Sequence, residues 1–192
     1  MMNTRTALLL IDIQRDVLHG VGENHDRFTV IEEAFEATIH RLVVVKNKAC
    51  SADIPVIIIQ HAGSKGHRLE TGTEGWKIHP LLGPNDKDLV ISKTTSDSFH
   101  NTELLLTLQA MEINHLLVGG FMTQYCVDLS VRRAVTLGFD VTLISDGHST
   151  CDIGGLSYEQ IIAHHNNILP VFKLNGHGIN LLPSNLISFN KN

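Results

Sequence analysis

A chain of 192 residues, 43% of them apolar, is long enough to bury one domain's core without disulfides or metals, and its composition excludes a disordered or fibrous protein. The net charge of −5 and the scattering of its 15 basic residues, whose one adjacent pair is Arg132-Arg133, exclude the basic stripe of a nucleic-acid binder.

The first element is the apolar run Ala7-Leu8-Leu9-Leu10-Ile11, which reads as a central strand ending at Asp12. It is too short for a membrane span and lacks the form of a signal peptide, so a cytoplasmic protein with no membrane partner is expected. Thr29 and Glu32 match a capping box. They precede a helical stripe of Ile31, Phe35, Ile39, Leu42 and Val43 that Pro55 stops. Val56-Ile57-Ile58-Ile59 follows as a β-branched second strand. Residues 62–85, rich in glycine, read as a long functional loop. Then come a third strand at 89–91, a helix at 104–111, and a fourth strand at 116–118 that ends at Gly119-Gly120. A helix over about 125–137, closed by Gly138, leads to a fifth strand at 141–144, a helix at 157–166, and a sixth strand at 171–174. Alternation of this kind predicts a single α/β domain over 1–192, a parallel sheet between helical layers.

Ligands of such sheets collect beyond the carboxyl ends of the strands. The rule selects Asp12, Gln60-His61, Ser92-Lys93, residues 119–126 and Asp146. Each also has a plain structural role open to it: Asp12 as a turn residue, Lys93 as a solvated strand end, Cys126 as core. Together, a carboxylate, an amine and a thiol at three strand ends could share one cleft. Thr123 can act as N-cap and put Cys126 in a first helical turn, where free N–H groups favour thiolate and can bind an oxyanion. The three cysteines, Cys50, Cys126 and Cys151, are odd in number and without CxxC spacing, which suits a reducing compartment. Cys50 and Cys151 are assigned to packing. The Gly119-Gly120 pair is not a dinucleotide fingerprint, since no GxGxxG spacing is present, and a flavodoxin-like nucleotide binder lacks a glycine phosphate loop here.

Asp12-Ile13-Gln14, Ser92-Lys93 and Gly120-Phe121-Met122-Thr123-Gln124-Tyr125-Cys126-Val127 resemble the three signature segments of the isochorismatase-like hydrolases, which include nicotinamidases, N-carbamoylsarcosine amidases and ureidoacrylate amidohydrolases. Gly72-Thr73-Glu74-Gly75, Ser130-Val131-Arg132-Arg133-Ala134, Leu137-Gly138-Phe139 and Asp146 agree in order, so the likeness spans roughly residues 6 to 165. The resemblance implies a three-layer αβα fold whose six parallel strands run in the order 3-2-1-4-5-6. It implies an Asp12, Lys93 and Cys126 triad, a cis Phe121–Met122 peptide, and an oxyanion site made by the Met122 and Cys126 amides. It further implies a small-molecule substrate cleaved at a C–N bond through a Cys126 thioester, and a homodimer or homotetramer.

Nicotinamidases of that family carry a metal ligand pattern Asp-x-His after the second strand; here the place reads Gln60-His61-Ala62-Gly63. His61, His67 and His79 have no recognisable ligand spacing, so neither metal nor other cofactor is expected. Trp76 either anchors the long loop or walls the substrate pocket with Phe99 and Tyr125. Gln14, with Asp16, either shapes the entrance, supports Asp12 or serves as a cap. Two other functions stay open: a vinyl-ether hydrolase with Asp12 as general acid, and a small-molecule binder that keeps the fold without catalysis.

Overall fold

The computed structural model describes residues 4–21 and 26–189. It is a three-layer α/β domain on a seven-stranded sheet, in the order β3-β2-β1-β4-β5-β7-β6. The strands are β1 (Thr6–Ile11), β2 (Val56–His61), β3 (Leu89–Lys93), β4 (His115–Phe121), β5 (Asp140–Ser149), β6 (Lys173–Leu174) and β7 (His177–Leu182). The first five and β7 run parallel; β6 pairs antiparallel with β7.

The predicted sixth strand at 171–174 is corrected by this arrangement. Only Lys173–Leu174 is extended, as a short edge, and the parallel sixth position belongs to β7. Asn175 and Gly176 join the two, with φ of 52° and 90°. Positive φ at both central residues is the tight hairpin geometry that Asn-Gly favours. The Asn-Gly dipeptide is the signal that the alternating pattern overlooks.

Helix α1 (Phe28–Ser51) lies on one face, where Leu8, Leu10 and Ile58 meet Ile31, Phe35, Ile39, Leu42 and Val45. On the other face Leu9, Ile11, Ile57 and Ile59 meet α2 (Leu104–Ala110) and α3 (Asp128–Thr136) through Leu104, Leu108, Val131 and Val135. Successive strand residues point to opposite faces, so a sheet covered on both sides needs unbroken apolar runs. That requirement explains the sequences of β1, β2 and β4. The last helix, α4 (Tyr158–Ile168), opens on a capping box made by Ser157 and Gln160.

The capping box predicted at Thr29 is not formed. Helix α1 begins two residues earlier, its N-cap is Arg27, and no side chain caps it. Arg27 instead pairs with Asp152 at 3.0 Å and with Glu159, tying the start of α1 to α4. Gly138 closes α3 as predicted, with φ of 91°. Its N–H bonds Val135 and that of Phe139 bonds Ala134, the paired bonds of a Schellman end. Cys50, assigned to packing, is exposed, whereas Cys151 is buried; all three thiols are unpaired. No helix among the described residues is long and apolar enough to cross a membrane.

Candidate functional site

Strand β1 ends at Asp12, whose φ of 49° lies in the left-handed region that aspartate tolerates better than most residues. Its N–H still reaches Ile59 on β2, at 2.9 Å, and its carbonyl accepts from Gln14 N–H at 2.8 Å. The carboxylate is buried. Lys93, the last residue of β3, lies two strands away, since β2 separates β3 from β1. Its ammonium is nevertheless 2.7 Å from Asp12 Oδ2, with 0% of the side chain exposed. No well-aligned donor reaches Asp12 Oδ1.

Beyond β4 the chain passes through a cis Phe121–Met122 peptide into a π-helical turn, Thr123–Val127, in which Val127 N–H bonds Met122 C=O. Gly120 is required here: its φ is 136°, and a Cβ at that position would sit 2.0 Å from the Ile11 carbonyl oxygen. Strand β4 therefore passes close against the end of β1. The turn presents Cys126, half-buried, close enough to Asp12 and Lys93 for both charges to act on its thiol. Asp12, His61, Arg68, Met122, Tyr125 and Cys126 line one cavity of about 120 Å³. That is well below the roughly 300 Å³ at which pockets for drug-sized ligands begin, so the cleft suits a small molecule.

Burial pushes the Cys126 thiol up to about 11, and the Asp12 charge adds to the effect while Lys93 opposes it. The expectation of a lowered thiol is therefore corrected. Desolvation of the sulfur anion and the neighbouring carboxylate outweigh the ammonium. Thr123 is not the N-cap: Met122 holds that position without a side-chain bond. Burial would lower Lys93, but Asp12 and then Cys126 outweigh it and raise its pKa, so the ammonium stays charged.

Thr123 has a different part. Its hydroxyl is 2.9 Å from His148 Nδ1, and His148 Nε2 is 3.0 Å from Asn166 Oδ1. Asn166 Nδ2 donates to the Ser145 carbonyl at 2.9 Å, which makes its oxygen the acceptor. The chain of donors thus runs one way: Thr123 O–H gives to Nδ1, and Nε2–H gives to Asn166. Burial pushes His148 down to about 4, so the ring is neutral and holds that tautomer. The segment that carries Met122 and Cys126 is pinned from β5 and α4 in this way.

The other predicted residues are dispersed. Tyr125 stands at the cavity mouth, 47% exposed. Phe99 does not line the pocket. It is packed in the core, its ring 6.2 Å from that of Phe139. Gln14 is fully buried, and its amide serves the backbone: Nε2 donates to the His61 and Trp76 carbonyls, and Oε1 accepts from His61 N–H. Gln60 Nε2 also donates to the Trp76 carbonyl, at 3.0 Å. The Trp76 carbonyl is thereby one of the points at which the long loop is fastened to the ends of β1 and β2, beside the backbone bonds of Gly75, Lys77 and His79 to residues 13–16. Asp146 points to Ser184, accepting from its N–H and Oγ at 2.7 and 2.8 Å, and so holds the C-terminal segment.

His61 and His67 stand beside the cleft with ring centroids 5.3 Å apart, but His79 faces Glu36, 3.4 Å away. Among the described residues no group of three or more His, Cys, Asp or Glu side chains is arranged to hold a metal ion. Three residues of the site escape sequence reasoning: Arg68, His148 and Asn166. Arg68 sits in a loop without periodicity. His148 lies beyond the bulge that interrupts the β4–β5 register, so its place at a strand end is visible only in the fold.

The family model for the isochorismatase domain matches residues 6–163. The isochorismatase family protein YrdC of Bacillus subtilis is 39% identical over 149 residues, covering 76% of this chain and 74% of its own. A streptothricin hydrolase of Streptomyces noursei is 30% identical over 77% of this chain, which spans only 50% of that enzyme's length. A ureidoacrylate amidohydrolase of Variovorax paradoxus is 30% identical over 50% of the chain and 37% of its own. An isochorismatase of Pseudomonas putida superposes with a TM-score of 0.82 at 24% identity, over 94% of this chain and 89% of its own, a likeness of fold.

Proposed function

The chain belongs to the isochorismatase family of hydrolases, and from that premise we propose that it cleaves a C–N bond of a small molecule with Cys126 as nucleophile. The observation that carries the proposal is the meeting of a thiol and a carboxylate on one small cavity, with an ammonium from a third strand end buried against the carboxylate. A non-catalytic binder has no use for an ion pair buried against a thiol. Support for a C–N bond comes from the ureidoacrylate amidohydrolase among the relatives.

Chemistry starts from the neutral thiol, because Cys126 holds its proton up to about pH 11. As Sγ attacks the carbonyl carbon, the proton passes to Asp12, whose Oδ1 has no competing donor. The negative charge leaves Asp12 for sulfur and, as the C–S bond forms, for the carbonyl oxygen, so one anion balances Lys93 throughout. The Met122 and Cys126 amides take the oxyanion that forms. Asp12 returns the proton to the leaving nitrogen, and the C–N bond breaks to give a thioester on Cys126. Water enters, loses its proton to Asp12, and displaces the sulfur, which regains that proton. A cytoplasmic, reducing setting belongs with this chemistry, since it keeps the three thiols unpaired.

A screen of small amides, ureido and carbamoyl compounds for ammonia release tests the proposal. Cys126→Ala is expected to abolish turnover, with circular dichroism and thermal unfolding unchanged. Full activity in the folded Cys126→Ala protein overturns it.

A further inference from the structure

Thr123, His148 and Asn166 stand on three separate elements, the π-helical turn, the end of β5 and α4. Thr123 is 0% and His148 1% exposed. The register explains how the imidazole reaches its place. From Val118 to Gly120 strand β4 advances two residues, while β5 advances five, from Leu143 to His148. The bulge that holds the surplus is packed too tightly for side chains. A Cβ on Gly119 would sit 2.7 Å from the Gly147 carbonyl oxygen, and one on Gly147 would sit 2.5 Å from Ile144. His148 is thereby brought level with Gly120, where its Nδ1 meets the Thr123 hydroxyl at 2.9 Å.

Apolar side chains of matching shape could fill such a space with little loss of stability; what a hydrogen-bond chain adds is direction. The Ser145 carbonyl fixes the Asn166 amide, Asn166 Oδ1 fixes the ring at Nε2, and Nδ1 fixes the Thr123 hydroxyl. Thr123 shares a peptide group with Met122, whose carbonyl accepts from Tyr125 N–H at 3.1 Å and from Val127 N–H at 3.2 Å. The Met122–Thr123 peptide is thus held from both sides. The Met122 N–H, one bond further back, is the donor that the proposed chemistry gives to the oxyanion.

We propose that His148 and Asn166 are positioning residues for the reaction: acting through Thr123, they hold the Met122 amide where the oxyanion forms, and neither touches the reacting atoms. The inference rests on the hydrolase proposal, but the oxyanion site can be read without turnover. A misplacement of about 1 Å can cost about 100-fold in rate, and loss of an oxyanion donor outright about 100- to 1,000-fold.

Acetaldehyde supplies the readout. On its addition to Cys126 an Sγ–C bond forms, the C=O π pair moves onto oxygen, and the thiol proton reaches that oxygen by way of Asp12, giving a reversible thiohemiacetal. Affinity is measured as protection of Cys126 from iodoacetamide, with Cys50, exposed and free, as the reference thiol. Alkylation by iodoacetamide develops no oxyanion, so its rate reports the thiol alone. Thr123→Val and Asn166→Leu are each expected to weaken the protection about 10- to 100-fold and to leave the alkylation rate within about 2-fold. Thr123→Ser, which keeps the hydroxyl, is expected to recover most of the affinity. In the double variant the loss is expected to match that of the worse single variant, because both substitutions break one chain. With a substrate found in the screen, the same variants should lower kcat and leave KM nearly unchanged. Undiminished protection, losses that multiply in the double variant, or equal losses in alkylation overturn the proposal. The wild type gives a check that needs no variant: the imidazole nitrogen resonances of His148 are expected to show the Nε2–H tautomer, and an Nδ1–H ring overturns the chain. A failure of the hydrolase proposal looks different: acetaldehyde then gives wild-type Cys126 no protection, and no compound of the screen is turned over.

Discussion

Replacing His148 by glutamine should make part of this protein's acid sensitivity disappear. The imidazole is fully buried, accepts from Thr123 and donates to Asn166, and burial holds its folded pKa at about 4 against 6.5 in an open chain. The sign follows from which state takes the proton first. Above pH 6.5 both states are neutral and the group adds no pH dependence. Below it the unfolded chain binds a proton that the folded chain refuses, so stability falls until the folded pKa is reached near 4. At about 1.4 kcal/mol per pKa unit, the loss is about 2 kcal/mol by pH 5 and about 3 kcal/mol by pH 4. His61 and His115 are lowered by burial too, so the raw curve contains their contributions. Urea unfolding of wild type and His148→Gln, each at pH 7, 5 and 4, removes them by subtraction. Glutamine keeps a donor and an acceptor but does not titrate. The wild type is expected to lead at pH 7 and to lose about 3 kcal/mol of that lead by pH 4. A gap constant to within about 1 kcal/mol over this range, or an imidazole resonance of folded His148 titrating near 6.5, refutes the reasoning.

Lys46→Met should destabilise the fold without touching the cleft. The Lys46 ammonium sits 2.7 Å from Asp88 and bonds the Leu82 and Gly83 carbonyls, fastening the end of the long loop to α1. Removing one partner of so buried a pair costs about 3–5 kcal/mol, and a urea midpoint shift worth less than about 1 kcal/mol would contradict the assignment. Iodoacetamide labelling of Cys126 should keep accelerating with pH beyond the ordinary thiol range, with a midpoint near 11, because burial and Asp12 resist the anion. A plateau reached by pH 8 would mean that Lys93 dominates instead.

The parts legible in the sequence are those in which a local pattern and a global requirement coincide. Runs such as 7–11 and 56–59 are apolar throughout because the sheet is covered on both faces, and that alone implies parallel strands with their ligand end at Asp12 and Lys93. Where several physical outcomes share one pattern, the sequence is silent. Phe99 reads equally well as pocket wall or as core; only the packing against Phe139 decides for core. Gln14 beside Asp12 suggests a substrate contact, but an amide with both donor and acceptor is also what a strand end needs to catch the backbone of a crossing loop. Arg68 belongs to no periodicity, so nothing local in the sequence marks it as part of the cavity wall. The Lys173–Leu174 edge was hidden by its apolar neighbours, whereas Asn175-Gly176 carried the turn that ends it.

The thiol shows how a correct local inference can give the wrong sign. A position just past a strand, near free N–H groups and a lysine, argues for a thiolate. In the folded protein the lysine is already neutralised by Asp12 at 2.7 Å, so what remains at the sulfur is mostly burial and a nearby negative charge. The resting pair is then thiol and carboxylate, and the reactive pair is thiolate and carboxylic acid. Both carry one negative charge against one ammonium, so the proton can move without changing the net charge that the low-dielectric cleft must hold. A resting thiolate beside an ionised Asp12 would place two anions against one cation, which is the arrangement the raised thiol avoids. Nucleophile activation is accordingly tied to substrate arrival, when the carbonyl and its oxyanion donors make the charge shift favourable, and an idle site is protected from alkylation and oxidation by the same electrostatics.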